Sequence, residues 1–268
     1  PAADQTTHNL LPHRTQPTYT VFYPSTPPDI PLAINSSPLT HEPHSQHLSF
    51  ILDNNLNYHH HITHAIKKLH PFIQTLRHVN KLLPTPTLMS LYYMFAYPHL
   101  ISNITIWGSS DHHKTYLQPL QHTHKRIIRL IFNQPLHYQD KHKTWHHTHT
   151  QPLLHIHNLL DIFSLFTLRT AIRTHPHNHQ PTEPINRPTH HAHFIPVTDI
   201  HSYDTRYASQ HTLYTPNDTA RCPTTFHSTK SQTNTWISLL SHHRTIKSLK
   251  TFKTKTQQHL QQLQNTLV

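Results

Sequence analysis

Glycine is almost missing from this chain: one residue of 268, Gly108, where an average protein has roughly 7%. Acidic side chains are scarce too, 11 Asp and Glu against 22 Lys and Arg, for a formal charge of +11 at neutral pH. That imbalance, with a pI of about 9.8, points to a polyanionic partner, and nucleic acid is the commonest. The single cysteine, Cys222, excludes an internal disulfide framework and any CxxC zinc site. No amino-terminal signal pattern is present, and a chain that starts at Pro1 rather than Met is expected to be a piece of something longer.

What fills the space is 35 His, 23 Pro and abundant Thr. Residues whose codons begin with guanine (Ala, Val, Asp, Glu, Gly) number 25, and Trp, Cys and Met, which also need guanine, are few. The simplest account is a guanine-poor coding strand. On that account a single G to A change turns an arginine CGY codon into a histidine CAY codon, so the excess histidine is drift before it is design. Most of these side chains are expected to be neutral at pH 7, with an unperturbed pKa near about 6.5.

A hydrophobic content of 34% over 268 residues suffices for one large domain or two small ones. TYTVF at 18–22, IPLAI at 30–34 and LSFIL at 48–52 alternate as short strands do, with the turn-prone PSTPPD between the first two. A helix is expected over 58–83: Ile62, Ile66, Leu69, Ile73, Leu76 and Val79 recur at intervals of three and four, and Pro71 should kink or divide it. After Pro84 and Pro86 a second helix is expected over 87–107, with Leu88, Leu91, Tyr92, Phe95 and Leu100 apolar, packing antiparallel on the first. The stretch from Leu88 to Gly108 carries no formal charge, but Ser90, Pro98, His99, Ser102 and Asn103 mark it as a buried helix rather than a membrane span.

A third helix is expected over 114–132, with Leu117, Leu120, Ile127, Ile128 and Ile131 inward, followed by a His-rich loop or frayed helix at 133–150. A fourth helical region covers 159–172, a Pro-rich linker 174–198, and strands or ordered loop 201–206 and 224–236. The last helix is expected over 243–263, where Ile246, Leu249 and Phe252 alternate with Arg244, Lys247, Lys250 and Lys253.

The words themselves, in this order, resemble a family. LDNNLNY at 52–58, His61 and Ile62, KLLPTPTLMSLYY at 81–93, YPHLI at 97–101 and the pair Trp107 and Gly108 are similar to the region carboxy-terminal to the palm in reverse transcriptases of jockey-like non-LTR retrotransposons (LINE elements). LQPLQHTHKRIIR at 117–129, PLLHIHNLLDIFSL at 152–165, HSYDTR at 201–206 and WISLLSHHRTIKSLKTFK at 236–253 continue it, and DIPLAINSSPL at 29–39 resembles the strand pair that leaves the palm. Against the family, a glycine is lost at 48–50, and His122 and His124 stand where arginine or glutamine is usual.

The resemblance implies a mainly α fold with a small β element at the N-terminus, a fragment of a right-hand polymerase. Its parts would be the end of the palm at 1–57, a helical thumb-like domain at 58–133, a His-rich loop and helix at 134–173, the linker at 174–198, and a C-terminal extension with a basic amphipathic helix at 199–268. Polymerisation in such enzymes needs paired aspartates of a YADD turn and Mg2+. No such word occurs in this chain, so no catalytic residue and no cofactor is expected in it; the missing motif would lie upstream, in the palm and fingers of the same polyprotein. The implied role is template-primer (RNA/DNA) binding, acting in the nucleus. A decayed, partly unfolded relic and a free-standing nonspecific nucleic-acid-binding module are the alternatives.

The residues expected to touch phosphate are Lys67, Lys68, Arg77 and Lys81 around the first helix and Lys125, Arg126 and Arg129 on the third, since a polymerase grips any sequence by backbone and shape. Each could equally keep its helix in solution. His60 with His64, and His146, His147 and His149, could capture a divalent ion weakly, but a defined zinc site needs three or four ligands and none is marked out. Cys222, in a polar, proline-flanked stretch with Arg221 beside it, lacks any nucleophile motif.

Overall fold

The computed structural model describes residues 18–22, 31–34, 37–47, 50–54, 58–108, 113–139, 143, 145–179 and 232–266, with single positions at 197, 203 and 213. The described residues are mainly helical, with short strands near the N-terminus. The chain divides into two compact units, residues 1–64 and 65–268, the boundary falling inside the first long helix. Cys222, HSYDTR apart from Tyr203, and most of the linker lie outside the described residues.

In the first unit the strands pair two by two. β1 (Thr18–Tyr19) runs parallel to β4 (Thr40–His41), β2 (Ala33–Ile34) antiparallel to β3 (Ser37–Pro38), and β5 (His44–His47) antiparallel to β6 (Phe50–Asp53). Pro31, Pro38 and Pro43 offer no N–H to a ladder, which keeps these strands short. Phe50 is buried against Tyr58 and His61, with ring centroids 5.7 and 4.5 Å away. His61 Nδ1 accepts a 3.4 Å hydrogen bond from the Ile51 N–H, so the residue that carried the family word is a structural ring. Asp53 is buried beside the first turn of α1 (His59–Val79). Burial raises its pKa, and the nearby His60, with His44, pulls the other way.

The second unit begins within α1. Leu69, Ile73 and Leu76 are buried as the three-and-four spacing demands, while Lys67, Lys68 and Arg77 are exposed. Pro71 does not divide the helix: it sits on the exposed face, where the carbonyl left without its N–H partner meets water.

The expected single helix over 87–107 is a broken series. α2 (Thr85–Leu91) passes through a π turn (Tyr92–Ala96) into α3 (Tyr97–Ile101), and Asn103, at φ 54°, precedes α4 (Ile104–Trp107). Leu88, Tyr92, Ala96, Leu100 and Ile104 are buried, one in every four, and the buried Trp107 closes the run. At 3.6 residues per turn a four-residue repeat drifts by about 40° per step, so a straight α-helix would carry this stripe off the core. The wider π turn, closed by the Tyr97 N–H to the Tyr92 carbonyl, and the bend at Asn103 take the drift back. As a result Phe95, expected on the apolar stripe, is 53% exposed. The strongest partners of this series are α5 and α7 (below) rather than α1.

α5 (His113–Ile131) buries Leu117, Leu120, Ile127, Ile128 and Ile131, as its pattern requires. It ends on Asn133 at φ 52°, with the Gln134 N–H bonded to the Arg129 carbonyl at 2.9 Å, a left-handed cap of the kind glycine usually makes. The segment expected to be loop or frayed helix holds an antiparallel hairpin, β7 (His137–Gln139) with β8 (Trp145–His147). Its polar composition gave no alternation to mark it.

α6 (Gln151–Ile156) precedes α7 (Ile162–His179), which runs six residues into the stretch expected to be linker. Two side chains satisfy first-turn donors of α7: Asp161 Oδ1 accepts from the Ser164 N–H at 2.8 Å and the buried Gln121 Oε1 from the Ile162 N–H at 2.9 Å. A helix at 232–238 (α8), where strand or loop was expected, leads to α9 (Ser241–Arg244) and α10 (Leu249–Thr266). The expected helix over 243–263 is thus split: Ile246 lies between helices and Leu249 is 44% exposed. Trp236, Leu239 and Phe252 form a core with Ala171 and Leu213.

Candidate functional site

On α5, His122, Lys125, Arg126 and Arg129 stand at positions i, i+3, i+4 and i+7, so helical geometry alone lays them on one stripe. The neighbouring stripe is the buried one that fixes the helix on the core. All four line an open cleft of about 630 Å3, which Arg77 of α1 enters from another side. Leu130, Gln134, Leu136 and the strand exit at Thr148, His149 and Thr150 also line it.

Three hydrogen bonds hold that geometry. Asn80 Nδ2 donates to the Leu130 carbonyl (3.4 Å) and Asn133 Nδ2 donates to the Asn80 carbonyl (3.1 Å), tying the end of α1 to the end of α5. Arg129 Nη2 donates to the Thr148 carbonyl at 2.9 Å, tying α5 to the hairpin exit. Arg129 is partly desolvated, and burial lowers its pKa from the usual arginine value; guanidinium nonetheless stays charged in proteins. Its buried Nε has no hydrogen-bond partner among the described residues. Arg77 Nη1 donates to Gln74 Oε1 at 3.1 Å, a bond along the exposed face of its own helix.

Among the described residues no carboxylate lines the cleft. Among the described residues of the second unit Asp161 is the only acid, and its Oδ1 is engaged at the α7 cap. Four cations therefore converge with no counter-charge among the lining residues, which raises a positive potential over a concave surface and favours a polyanion.

Of the seven expected phosphate-binding residues the structure brings four together: Arg77, Lys125, Arg126 and Arg129. Lys67 and Lys68 are exposed but precede Arg77 by nine or ten residues, roughly 15 Å along the helix axis, and Lys81, also exposed, is not in the wall of the cleft. His122 is not among the expected phosphate contacts, although the three-four-seven spacing places it with the cations. His149 and Thr150 carry no such spacing, because the exit of a hairpin whose strands do not alternate sets their place.

Among the described residues no three His, Cys, Asp or Glu side chains come together to hold a metal ion, and no helix is long and apolar enough to cross a membrane. Of the proposed imidazole pairs, His60 faces the ring of His44, stacked at 4.8 Å. Comparison of the chain with protein-family models, with curated proteins and with solved structures found no match.

Proposed function

We propose that this chain is a non-catalytic carboxy-terminal part of a jockey-like retrotransposon RNA-directed DNA polymerase, and that it contributes to holding the template-primer duplex. The observation that carries the binding role is the meeting of Arg77 with Lys125, Arg126 and Arg129 in one cleft with no carboxylate among the described lining residues. Such a surface neutralises phosphates and reads no base, as a polymerase that accepts every sequence requires. The family assignment rests on the ordered words in the sequence, and it would put Mg2+ and the catalytic aspartates in the upstream palm.

The test is equilibrium binding of an RNA–DNA hybrid over a series of salt concentrations. Four phosphate contacts give a slope of log K against log salt of about −3 to −4, and each contact removed reduces it by about 0.9. The double variant Lys125→Glu, Arg126→Glu is expected to lose at least tenfold in affinity and about two in slope, whereas Lys67→Glu, Lys68→Glu changes little. Equal losses from both variants would reduce the cleft to general surface charge, and unchanged binding in the first would remove it altogether. A cooperative melting transition followed by circular dichroism is expected of the folded chain; its absence would favour the decayed relic.

A further inference from the structure

A second cleft, of about 220 Å3, opens where the π turn meets α7 and α10. One wall is tyrosine: Tyr93 and Tyr97 stand edge to face with ring centroids 5.4 Å apart, and Tyr92 lies 5.1 Å and 6.0 Å from them. Tyr93 is 48% exposed, so its ring is not spent on the core. The π turn puts it there, because the same widening that keeps Tyr92 inward carries the next residues round to the surface. Leu165 and Leu168 of α7 supply an apolar surface.

Two cations also line it, Arg169 from α7 and Lys253 from α10, beside the amides of Asn158 and Gln257. Neither makes a hydrogen bond or ion pair among the described residues. Tyr92 is fixed by a 3.0 Å hydrogen bond between its hydroxyl and Nε2 of the fully buried His124. His122 and Lys125, on either side of His124 in α5, belong to the first cleft, so one helix braces both.

Aromatic rings, an apolar surface and two unengaged cations in a space smaller than the ~300–1,000 Å3 of a drug-sized pocket match one planar heterocycle attached to phosphate. We infer that this second cleft takes a single unpaired nucleotide, its base stacked on the exposed ring of Tyr93 with the ring of Tyr97 against its edge, and its phosphate met by Arg169 and Lys253. The inference rests on the nucleic-acid reading of the first cleft but uses none of its residues. The nucleotide is supplied either by a single-stranded overhang next to a bound duplex or free in solution.

The experiment uses the full chain with a blunt RNA–DNA hybrid, the same hybrid carrying a short overhang with 5-iodouracil, and uridine monophosphate as competitor. Stacking of one base predicts about tenfold tighter binding of the overhanging duplex than of the blunt one, and ultraviolet crosslinking into the peptide that contains Tyr93 and Tyr97. In Tyr93→Ala, Tyr97→Ala that ratio falls to near one while blunt-duplex binding holds; Tyr93→Phe, Tyr97→Phe retains the ratio, and Lys253→Glu lowers it. Crosslinking abolished by the monophosphate, with no preference for the overhang, assigns the site to free nucleotides. An overhang preference unchanged in the alanine pair, or crosslinks confined to other peptides, overturns the proposal. Loss of blunt-duplex binding in Lys125→Glu, Arg126→Glu is independent of these outcomes, and a single-stranded 5-iodouracil oligonucleotide keeps the crosslinking test valid if no duplex binds.

Discussion

Helix α5 and the run from Thr85 to Trp107 solve the same packing problem with different helical periods. α5 buries Leu117, Leu120, Gln121, His124, Ile127, Ile128 and Ile131, a stripe advancing by threes and fours that a straight α-helix keeps on one side. The other run buries every fourth residue from Leu88 to Ile104 and holds that stripe inward only by a π turn and a left-handed bend at Asn103. The regular helix leaves its outer face as an orderly basic stripe. The under-wound one turns Tyr93, Met94 and Phe95 out to solvent, at 48%, 66% and 53% exposure. Each helical period thus sets the chemistry of the surface beside it.

The contrast breaks first on stability. Leu120→Ala, at a fully buried position of α5, is expected to cost about 2–5 kcal/mol, whereas Phe95→Ala in the π turn should stay within about 0.5 kcal/mol. Urea unfolding of both variants measures this; a large loss at Phe95 would mean that the run keeps the ordinary period after all.

The contact between the two regions should respond to pH. Burial, with Lys125 adding to it, pushes the pKa of His124 from 6.5 down to about 4. Between those values the unfolded chain binds the proton and the folded one does not, so stability falls as pH falls through this window and is insensitive to this group above it. The loss from this group between pH 7 and pH 4 is on the order of 3 kcal/mol. His243 and His259 are lowered by burial as well and act in the same direction. Comparing the wild type with His124→Gln at several pH values isolates the one group, and parallel curves would show that His124 is not the source.

The smallest effects sharpen what the single glycine does. A Cβ on Gly108 would stand 2.6 Å from the Ile104 carbonyl oxygen and 2.7 Å from Cδ2 of Phe166, so Gly108→Ala is expected to cost about 1–3 kcal/mol. Asn103, five residues earlier and at φ 54°, should accept glycine with a change within about 0.5 kcal/mol and lose about 1 kcal/mol on Asn103→Ala. Thermal or urea unfolding of the three variants decides. Glycine is needed here for closeness to α7, at an ordinary φ of −79°, and not for a left-handed backbone.

That division bears on base composition. Five described residues have positive φ, among them Asn103, Asn133 and Asn158, and none is glycine. In a guanine-poor chain asparagine, with its AAY codons, takes three of these five positions, since its short polar side chain tolerates them. Where a neighbouring side chain leaves no room for a Cβ, no such replacement exists.

Much of the architecture could be read from residues. α1 and α5 lie within two or three residues of their expected ends at most of their boundaries, because their apolar spacing matches 3.6 and their cations lie beside it. Gaps appear where local pattern and packing part company: the hairpin at 137–147 has no alternation, and the helix at 232–238 is held by Trp236 in a core assembled from three distant segments. The basic cleft was half legible. Lys125, Arg126 and Arg129 share a stripe by arithmetic, but Arg77 joins them only because Asn80 and Asn133 tie two helix ends together fifty residues apart in sequence.

By itself the sequence determined the charge, the helical content and the residues able to meet phosphate, because composition and a 3.6-residue period are local properties of the chain. Tertiary structure decided which of those cations converge, where the four-residue stripe is under-wound and which tyrosines face outward. Those outcomes depend on side chains far apart along the chain competing for one core, and no window of neighbouring residues contains that competition.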